Sequence, residues 1–275
     1  MNGIIINIDP IIFRLGGFEL RWYSITIMLA VVAAVLVAMR EAKKRGVPAN
    51  TISSFLHAVP WALVGGVVGA RLFHVFDQWS YYAANPAMIF HFQHGGLAIW
   101  GAIVGGAIAV SLYAKGKHIP LGRLGDVMAP ALLTAQIVGR FGCIINGDAY
   151  GGVTSLPWGF IYVHSNALIP DDLFGVPTHP YPVYEIIWNA LSLLAILKLR
   201  RNLKTDGLLF LSYLSLYSLG RFILTFVRQE NITLMGLQQA QIIAVAILAG
   251  SVAMFIYSFR KARRGMVAGN ETPTF

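Results

Sequence analysis

Seven stretches of mostly apolar residues, near 22–39, 52–76, 96–114, 124–145, 181–199, 207–228 and 236–259, divide this chain. Each approaches the roughly 20 residues that a helix needs to cross the hydrocarbon core of a bilayer. So many runs cannot be hidden in a water-soluble core. Hydrophobic residues make up 56% of the 275, and only 12% are charged, about half the charged fraction of an ordinary soluble domain. The sequence therefore predicts an all-α integral membrane protein of about seven transmembrane helices, forming a single membrane domain over residues 1–275. No internal repeat of useful length is present. The first run begins only near Trp22 and no basic n-region precedes it, so the first helix is expected to stay in the mature protein.

A net charge of +9 on a soluble fold would suggest nucleic acid, but the distribution of the charge points to a membrane instead. Lys and Arg fall in four clusters: Arg40, Lys43, Lys44 and Arg45; Lys115, Lys117 and Arg123; Lys198, Arg200, Arg201 and Lys204; Arg260, Lys261, Arg263 and Arg264. With seven spans all four clusters land on one side, and the positive-inside rule makes that side cytoplasmic. The N-terminus is then expected outside and the C-terminus in the cytoplasm. The connection 146–180, rich in Gly, Pro and Asp, becomes a small extracytoplasmic subdomain between the fourth and fifth helices. The single cysteine, Cys143, excludes an intrachain disulfide and a multi-cysteine metal site. Neither a metal nor a cofactor is expected.

The remaining basic residues are Arg14, Arg21, Arg71, Arg140, Arg221 and Arg228, and under this topology all lie outside or in the outer half of a helix. A guanidinium at that depth is costly unless it meets an anion, a carboxylate or water. Snorkelling to the interface accounts for Arg21 and Arg228. Arg140 and Arg221 are each followed by further apolar residues toward the outer face, so snorkelling fits them less well. Their planar, bidentate donors suit a phosphate, and the anion most available there is a phospholipid headgroup.

Other polar residues gather at the same level: Tyr23, His94, Asn146, Asp148, Tyr184, Glu185 and Tyr217. Tyr217 and Arg221 are spaced i, i+4 and share a helix face. Interfacial aromatic belts explain Trp79, Tyr81, Tyr82 and Trp158 without any function, and leave Tyr23 and Tyr217 open between belt and site. Glu185, inside an apolar run, is expected to pair with an arginine. The glycines at 65, 66, 69, 101, 105 and 106 read as small-residue helix contacts.

At the end of the fourth span the residues read Gly139-Arg-Phe-Gly-Cys-Ile-Ile-Asn-Gly-Asp-Ala-Tyr-Gly151. This run resembles the hallmark of the prolipoprotein diacylglyceryl transferase family. Shorter echoes extend the resemblance along nearly the whole chain: Leu20 to Tyr23, His94 to Gly101, Leu156 to Trp158, His179-Pro180 with Tyr184-Glu185, Tyr217 to Arg221 with Phe226 to Arg228, and Met235-Gly236. The resemblance implies transfer of diacylglyceryl from phosphatidylglycerol to the thiol of a lipobox cysteine in preprolipoprotein signal peptides. It also implies a multi-pass enzyme of the bacterial plasma (inner) membrane, active toward the outer leaflet among membrane lipids, with no nucleic-acid partner. Carried over position by position, Arg140 binds the headgroup phosphate and Arg221 is the second essential arginine. Asn146, Gly151, Tyr23 and Tyr217 complete the headgroup site. Arg71 and Glu185 are added to it from their position in the topology.

Four positions depart from the family pattern. Cys143 stands where Asn is usual, Asp148 where Glu is usual, Trp100 where many members have His or Tyr, and Thr225 where many have Glu. Trp100 cannot act as a base, so His94 and Asp148 are the candidates for accepting the thiol proton. A non-catalytic anionic-lipid-binding or transport protein is the alternative reading. The lack of matching repeats with broken helices weighs against an ordinary secondary transporter.

Overall fold

Long apolar runs with few breakers leave the backbone no satisfactory state in lipid except a helix, because only a helix pairs its own N–H and C=O groups within one segment. The computed structural model describes residues 3–16, 18–91, 96–228, 232–234 and 236–270, with only the backbone described at 18, 232–234 and 264–270. Its seven long helices are α1 (Trp22–Lys44), α2 (Ala49–Asp77), α4 (Ile99–Gly116), α5 (Leu121–Asn146), α6 (Tyr181–Leu199), α7 (Leu208–Thr225) and α8 (Gln239–Asn270), with a short α3 (Trp79–Ala84) after α2. All seven are long and apolar enough to span a membrane, α8 over Gln239–Arg263. Their number is the one expected from the sequence, while α1 runs five residues and α8 eleven residues past the expected ends. Many exposed side chains on them are large and apolar, among them Val64, Leu112, Leu194 and Met254 at 60–65%, the reverse of a water-soluble helix and the pattern expected of lipid-facing surface.

The chain groups into two compact units, Met1–Glu41 with Gly125–Phe275, and Ala42–Leu124. In the Ala42–Leu124 unit, α2 and α4 pack through small residues. A Cβ at Gly69 would overlap the Gly101 carbonyl oxygen and one at Gly105 would overlap that of Gly65, while a Cβ at Gly65 would overlap that of Ala109. The four-residue spacing on both helices lets the backbones meet directly, as small-residue interfaces in membranes do. Arg71 belongs to this unit and is buried. Its guanidinium donates to the backbone carbonyls of Met88, Ile89, His91 and Gly96 and lies over the Tyr82 ring.

The larger unit holds the other long helices and three two-stranded ribbons that sequence pattern did not show. β1 (Ile4–Ile6) pairs in parallel with β4 (Phe160–Tyr162), Ile4 opposite Phe160. β2 (Ile11–Leu15) and β3 (Phe18–Arg21) form an antiparallel hairpin, as do β5 (Ile232–Leu234) and β6 (Leu237–Gln238). Each strand has two to five residues, too few for alternation to register against noise. Asn166 ties the hairpin to the 146–180 segment, accepting from Arg14 Nη2 at 3.2 Å and donating to Asp9 Oδ1 at 3.0 Å. That bond and the Ile11 N–H hold the Asp9 carboxyl below its ordinary range.

Two buried carboxylates fix one end of this unit. Asp126 on α5 accepts the backbone N–H groups of Gly207 at 3.0 Å and Phe210 at 2.9 Å. It supplies from a neighbouring helix the cap that the first turn of α7 lacks from its own residues. Glu41, at the end of α1, is paired with Arg200, just past α6. Both carboxylates are at most 3% exposed, and a buried carboxylate requires such partners.

Candidate active site

Arg140 lies fourteen residues beyond Asp126 on α5, and Arg221 fourteen beyond Gly207 on α7. An α-helix rises roughly 21 Å over that length and returns to within about 40° of the same face. The Asp126 cap at one end therefore sets α5 and α7 in a register that brings the two arginines to one level at the other. Glu185, one turn into α6, meets both. Its Oε2 lies 2.5 Å from Arg140 Nε, and its Oε1 lies 3.5 Å from Arg221 Nη1. The carboxylate is buried, while both guanidinium side chains are about a fifth to a quarter exposed. Two cations thus share the Glu185 carboxylate. Arg140 also points Nη1 at Cys143 Sγ, 3.6 Å away. Its Nη2 makes no hydrogen bond among the described residues.

Tyr181 completes the cluster, and the sequence reading had passed it over. It is fully buried at the start of α6. Its hydroxyl accepts from Arg221 Nη1 at 2.7 Å and donates to Glu185 Oε1 at 3.3 Å. The guanidinium of Arg228 sits over its ring, 5.3 Å from the centroid. The i, i+4 spacing of Tyr181 and Glu185 was the available signal, because it places both on one helix face.

The other expected residues lie around this centre. Asn146, the last residue of α5, is buried and accepts from Arg21 Nη1 at 3.3 Å. Gly147 follows with φ +77° and its N–H bonded to Cys143 O, a left-handed residue that ends the helix where a Cβ would be strained. Asp148 is exposed on the turn beyond, within electrostatic reach of Tyr23 and Tyr162. Tyr162 donates to Ile144 O at 3.0 Å, and burial followed by the Asp148 charge pushes its phenol up. Tyr23, at the start of α1, also feels the charges at Arg140 and Cys143. Gly142 lets α1 approach α5 here, since a Cβ at that position would overlap Thr26 Oγ1 and lie 3.2 Å from Tyr23 Cα.

Gly151 is buried where the chain after α5 meets His179 and Val227. A Cβ there would come within 2.7 Å of His179 Cβ and 2.9 Å of Val227 O, so its role in the geometry is close backbone approach. Tyr217 sits one turn before Arg221 and stacks on Tyr213, whose hydroxyl accepts from Gln136 at 2.9 Å. Thr225, in place of the glutamate many family members carry, turns its hydroxyl back onto Arg221 O and adds no charge to the cluster. His94 lies outside the described residues. Among the described residues no group of His, Cys, Asp and Glu is arranged to hold a metal ion.

Fold and site together define a multi-pass membrane protein with an arginine–glutamate centre built between three apolar helices. The family model for prolipoprotein diacylglyceryl transferase matches residues 10–257. A phosphatidylglycerol–prolipoprotein diacylglyceryl transferase of Clostridioides difficile (strain 630) is 34% identical over 258 residues, covering 94% of this chain and 98% of that protein. Proteins of the same name from Dehalococcoides mccartyi (strain BAV1) and Lysinibacillus sphaericus (strain C3-41) are 37% identical over 260 residues and 33% over 275. They cover 94% and 97% of this chain, and 97% and 98% of their own lengths. The chain belongs to the prolipoprotein diacylglyceryl transferase family.

Proposed function

We propose that this protein transfers the diacylglyceryl group of phosphatidylglycerol to the lipobox cysteine of preprolipoproteins, the first step of bacterial lipoprotein maturation. The observation that carries the reading is the sharing of Glu185 by Arg140 and Arg221. An arginine pair set within apolar helices suits a lipid phosphate better than a neutral or cationic solute.

In the reaction the thiol sulfur forms a bond to glyceryl C3, the bond from C3 to the phosphate oxygen breaks, and glycerol phosphate leaves with the electron pair. The thiol proton passes to a base. Negative charge grows on the phosphate as that bond breaks, and preorganised guanidinium donors at that spot stabilise it. Arg140, with Nη2 uncommitted, is assigned to the phosphate, and Arg221 to the same group from α7. Glu185 holds both in place. Asn146, Gly151, Tyr23 and Tyr217 are assigned to the headgroup and glyceryl surroundings. His94 and Asp148 are the candidates for the proton. Arg71 is a further candidate for substrate binding, and it also donates to the carbonyls of Met88, Ile89, His91 and Gly96.

The basic clusters on the alternate connections support an N-terminus outside and a C-terminus in the cytoplasm. The arginine centre then faces the outer leaflet of the plasma membrane, with the 146–180 segment over it as the extracytoplasmic part. Purified protein given phosphatidylglycerol and a lipobox peptide is expected to yield the thioether-modified peptide and glycerol phosphate in equal amounts. Binding of phosphatidylglycerol with no modified peptide would instead support a non-catalytic lipid-binding role.

A further inference from the structure

Interfacial snorkelling explains an arginine such as Arg21 without any partner, yet the structure gives it two. The antiparallel register of the hairpin sets Arg14 opposite Glu19, and Glu19 and Arg21, two residues apart on β3, share a face. Glu19 lies between the arginines: its Oε1 is 3.0 Å from Arg14 Nε and its Oε2 is 3.1 Å from Arg21 Nη2. With Nη2 held there, Arg21 extends Nη1 to the Asn146 side chain and donates to Oδ1 at 3.3 Å. Arg14 is tied in turn to Asn166 of the 146–180 segment. A row of polar contacts thus runs from the hairpin to the last residue of α5.

Ion pairs as exposed as these, with 25–56% of the arginine side chains and 37% of Glu19 open to solvent, add little to stability. What they fix is direction. A guanidinium donates and never accepts, so the Asn146 atom that meets Arg21 is the oxygen, and the amide is held in one of its two orientations. Asn146 is buried, and its backbone oxygen already takes the N–H of Leu168. The side-chain amide is the part that needs a partner to orient it.

We propose that Arg21 is a positioning residue for the transfer reaction: held by Glu19, it fixes Oδ1 of Asn146 and so presents the Nδ2 donor to the phosphatidylglycerol headgroup. This inference rests on the function proposed above, in which Asn146 is assigned to the headgroup. A hydrogen bond from a charged donor biases the amide by at least about tenfold. Without it the competent orientation falls about twofold if the two become equal, and up to about tenfold if the reverse one is preferred.

The test uses the full-length protein in detergent or nanodiscs and a short-chain phosphatidylglycerol, with affinity and turnover measured in parallel. Arg21→Met keeps an apolar stem and removes the donors. It is expected to melt close to the wild-type temperature, to bind phosphatidylglycerol about twofold to tenfold more weakly, and to lose kcat/KM by the same factor. The decisive comparison is with Asn146→Ala. If Arg21 acts through Asn146, the double variant binds no more weakly than Asn146→Ala alone, whereas an independent packing role multiplies the two losses. Glu19→Gln keeps the shape but not the charge that holds Arg21. A smaller loss is expected from it, and none in the Asn146→Ala background, so it carries the same comparison should Arg21→Met fail to accumulate.

Wild-type affinity in Arg21→Met, wild-type affinity in Asn146→Ala, or multiplicative losses in the double variant would each overturn the proposal. A wild-type protein that binds phosphatidylglycerol but forms no thioether would refute the transferase reading, while the affinities would still decide the part played by Arg21. One that binds no phosphatidylglycerol would refute both.

Discussion

Arg140 and Glu185 meet 2.5 Å apart, Nε against Oε2, across α5 and α6. The contact uses Nε, and Nη2 makes no hydrogen bond among the described residues. A lysine in its place would carry the same charge but only one nitrogen, which cannot hold Glu185 and a phosphate with separate edges.

Arg140→Lys is therefore expected to preserve expression and membrane insertion while lowering kcat/KM for phosphatidylglycerol by ~10²–10³-fold, the usual cost of removing one preorganised donor. Thioether formation on a lipobox peptide measures it. Turnover at the wild-type level would remove the two-edged role of Arg140.

Glu185→Gln leaves two partly buried guanidinium groups facing each other without their shared anion. Breaking a buried pair from one side costs about 3–5 kcal/mol, discounted here because both arginines keep some exposure. The variant is expected to melt several degrees lower in detergent and to regain part of that loss when phosphatidylglycerol is added, since a bound anion substitutes for the missing charge. A melting temperature equal to wild type, with or without lipid, would show that Glu185 is not what holds the arginines together.

The spans were legible because their signal is long and one-dimensional: about 20 residues without charge can be read in any order of folding. Arg140 and Arg221 were legible for the converse reason, as charges where the apolar pattern forbids them. Tyr181 was not, since aromatic residues crowd membrane interfaces anyway and only its partners distinguish it. The partners of Asp126 are backbone N–H groups 81 and 84 residues away, which no local pattern encodes. The same holds for Arg71, whose donors reach the carbonyls of Met88, Ile89, His91 and Gly96. The pairing of Ile4–Ile6 with Phe160–Tyr162 likewise depends on tertiary contact alone.

Gly69 tests the packing of α2 on α4. A Cβ there would overlap the Gly101 carbonyl oxygen and lie 2.8 Å from Gly105 Cα, atoms of a rigid backbone that can yield only if the helices separate. Gly69→Leu is expected to abolish accumulation of folded protein in the membrane, whereas Gly66→Ala, whose added methyl meets its nearest atom at an ordinary 3.5 Å, should be near neutral. Fluorescence-detected size exclusion of the two variants checks this. Equal, monodisperse yields would mean that the helices do not need the close approach.

Asp126→Ala removes the acceptor for two N–H groups at the start of α7. Losing a cap costs about 1–2 kcal/mol, and leaving the donors buried adds to that. A lowered melting temperature is expected, with a smaller fall in turnover than for Arg140→Lys, because Asp126 reaches the arginines only through the register of the two helices. Wild-type stability would place the fixation of α7 elsewhere.

The last prediction concerns the proton. His94 and Asp148 are the two candidates for removing it from the thiol, and pH separates them. Imidazoles titrate near 6.5 and carboxylates near 4. A histidine base therefore adds a limb to the kcat/KM profile between pH 6 and 7, while a carboxylate base adds none above pH 6. The thiol itself, ionising near 8.5, adds a rise at the alkaline end in either case. Wild type is expected to show the lower limb, and His94→Gln to lose both that limb and most of the rate at pH 7. Asp148 stands exposed at the mouth of the turn after α5, near Tyr23 and Tyr162, so Asp148→Asn is expected to lower the rate without moving the limb. Asn keeps the shape and one acceptor but not the charge, so any loss measures what the charge does for the surrounding groups. Should both variants keep the full rate and the wild-type profile, neither is the base. Thiol activation would then fall to the positive charges of Arg140 and Arg221, which favour a thiolate placed beside them, and the catalytic assignments beyond those two arginines would have to be withdrawn.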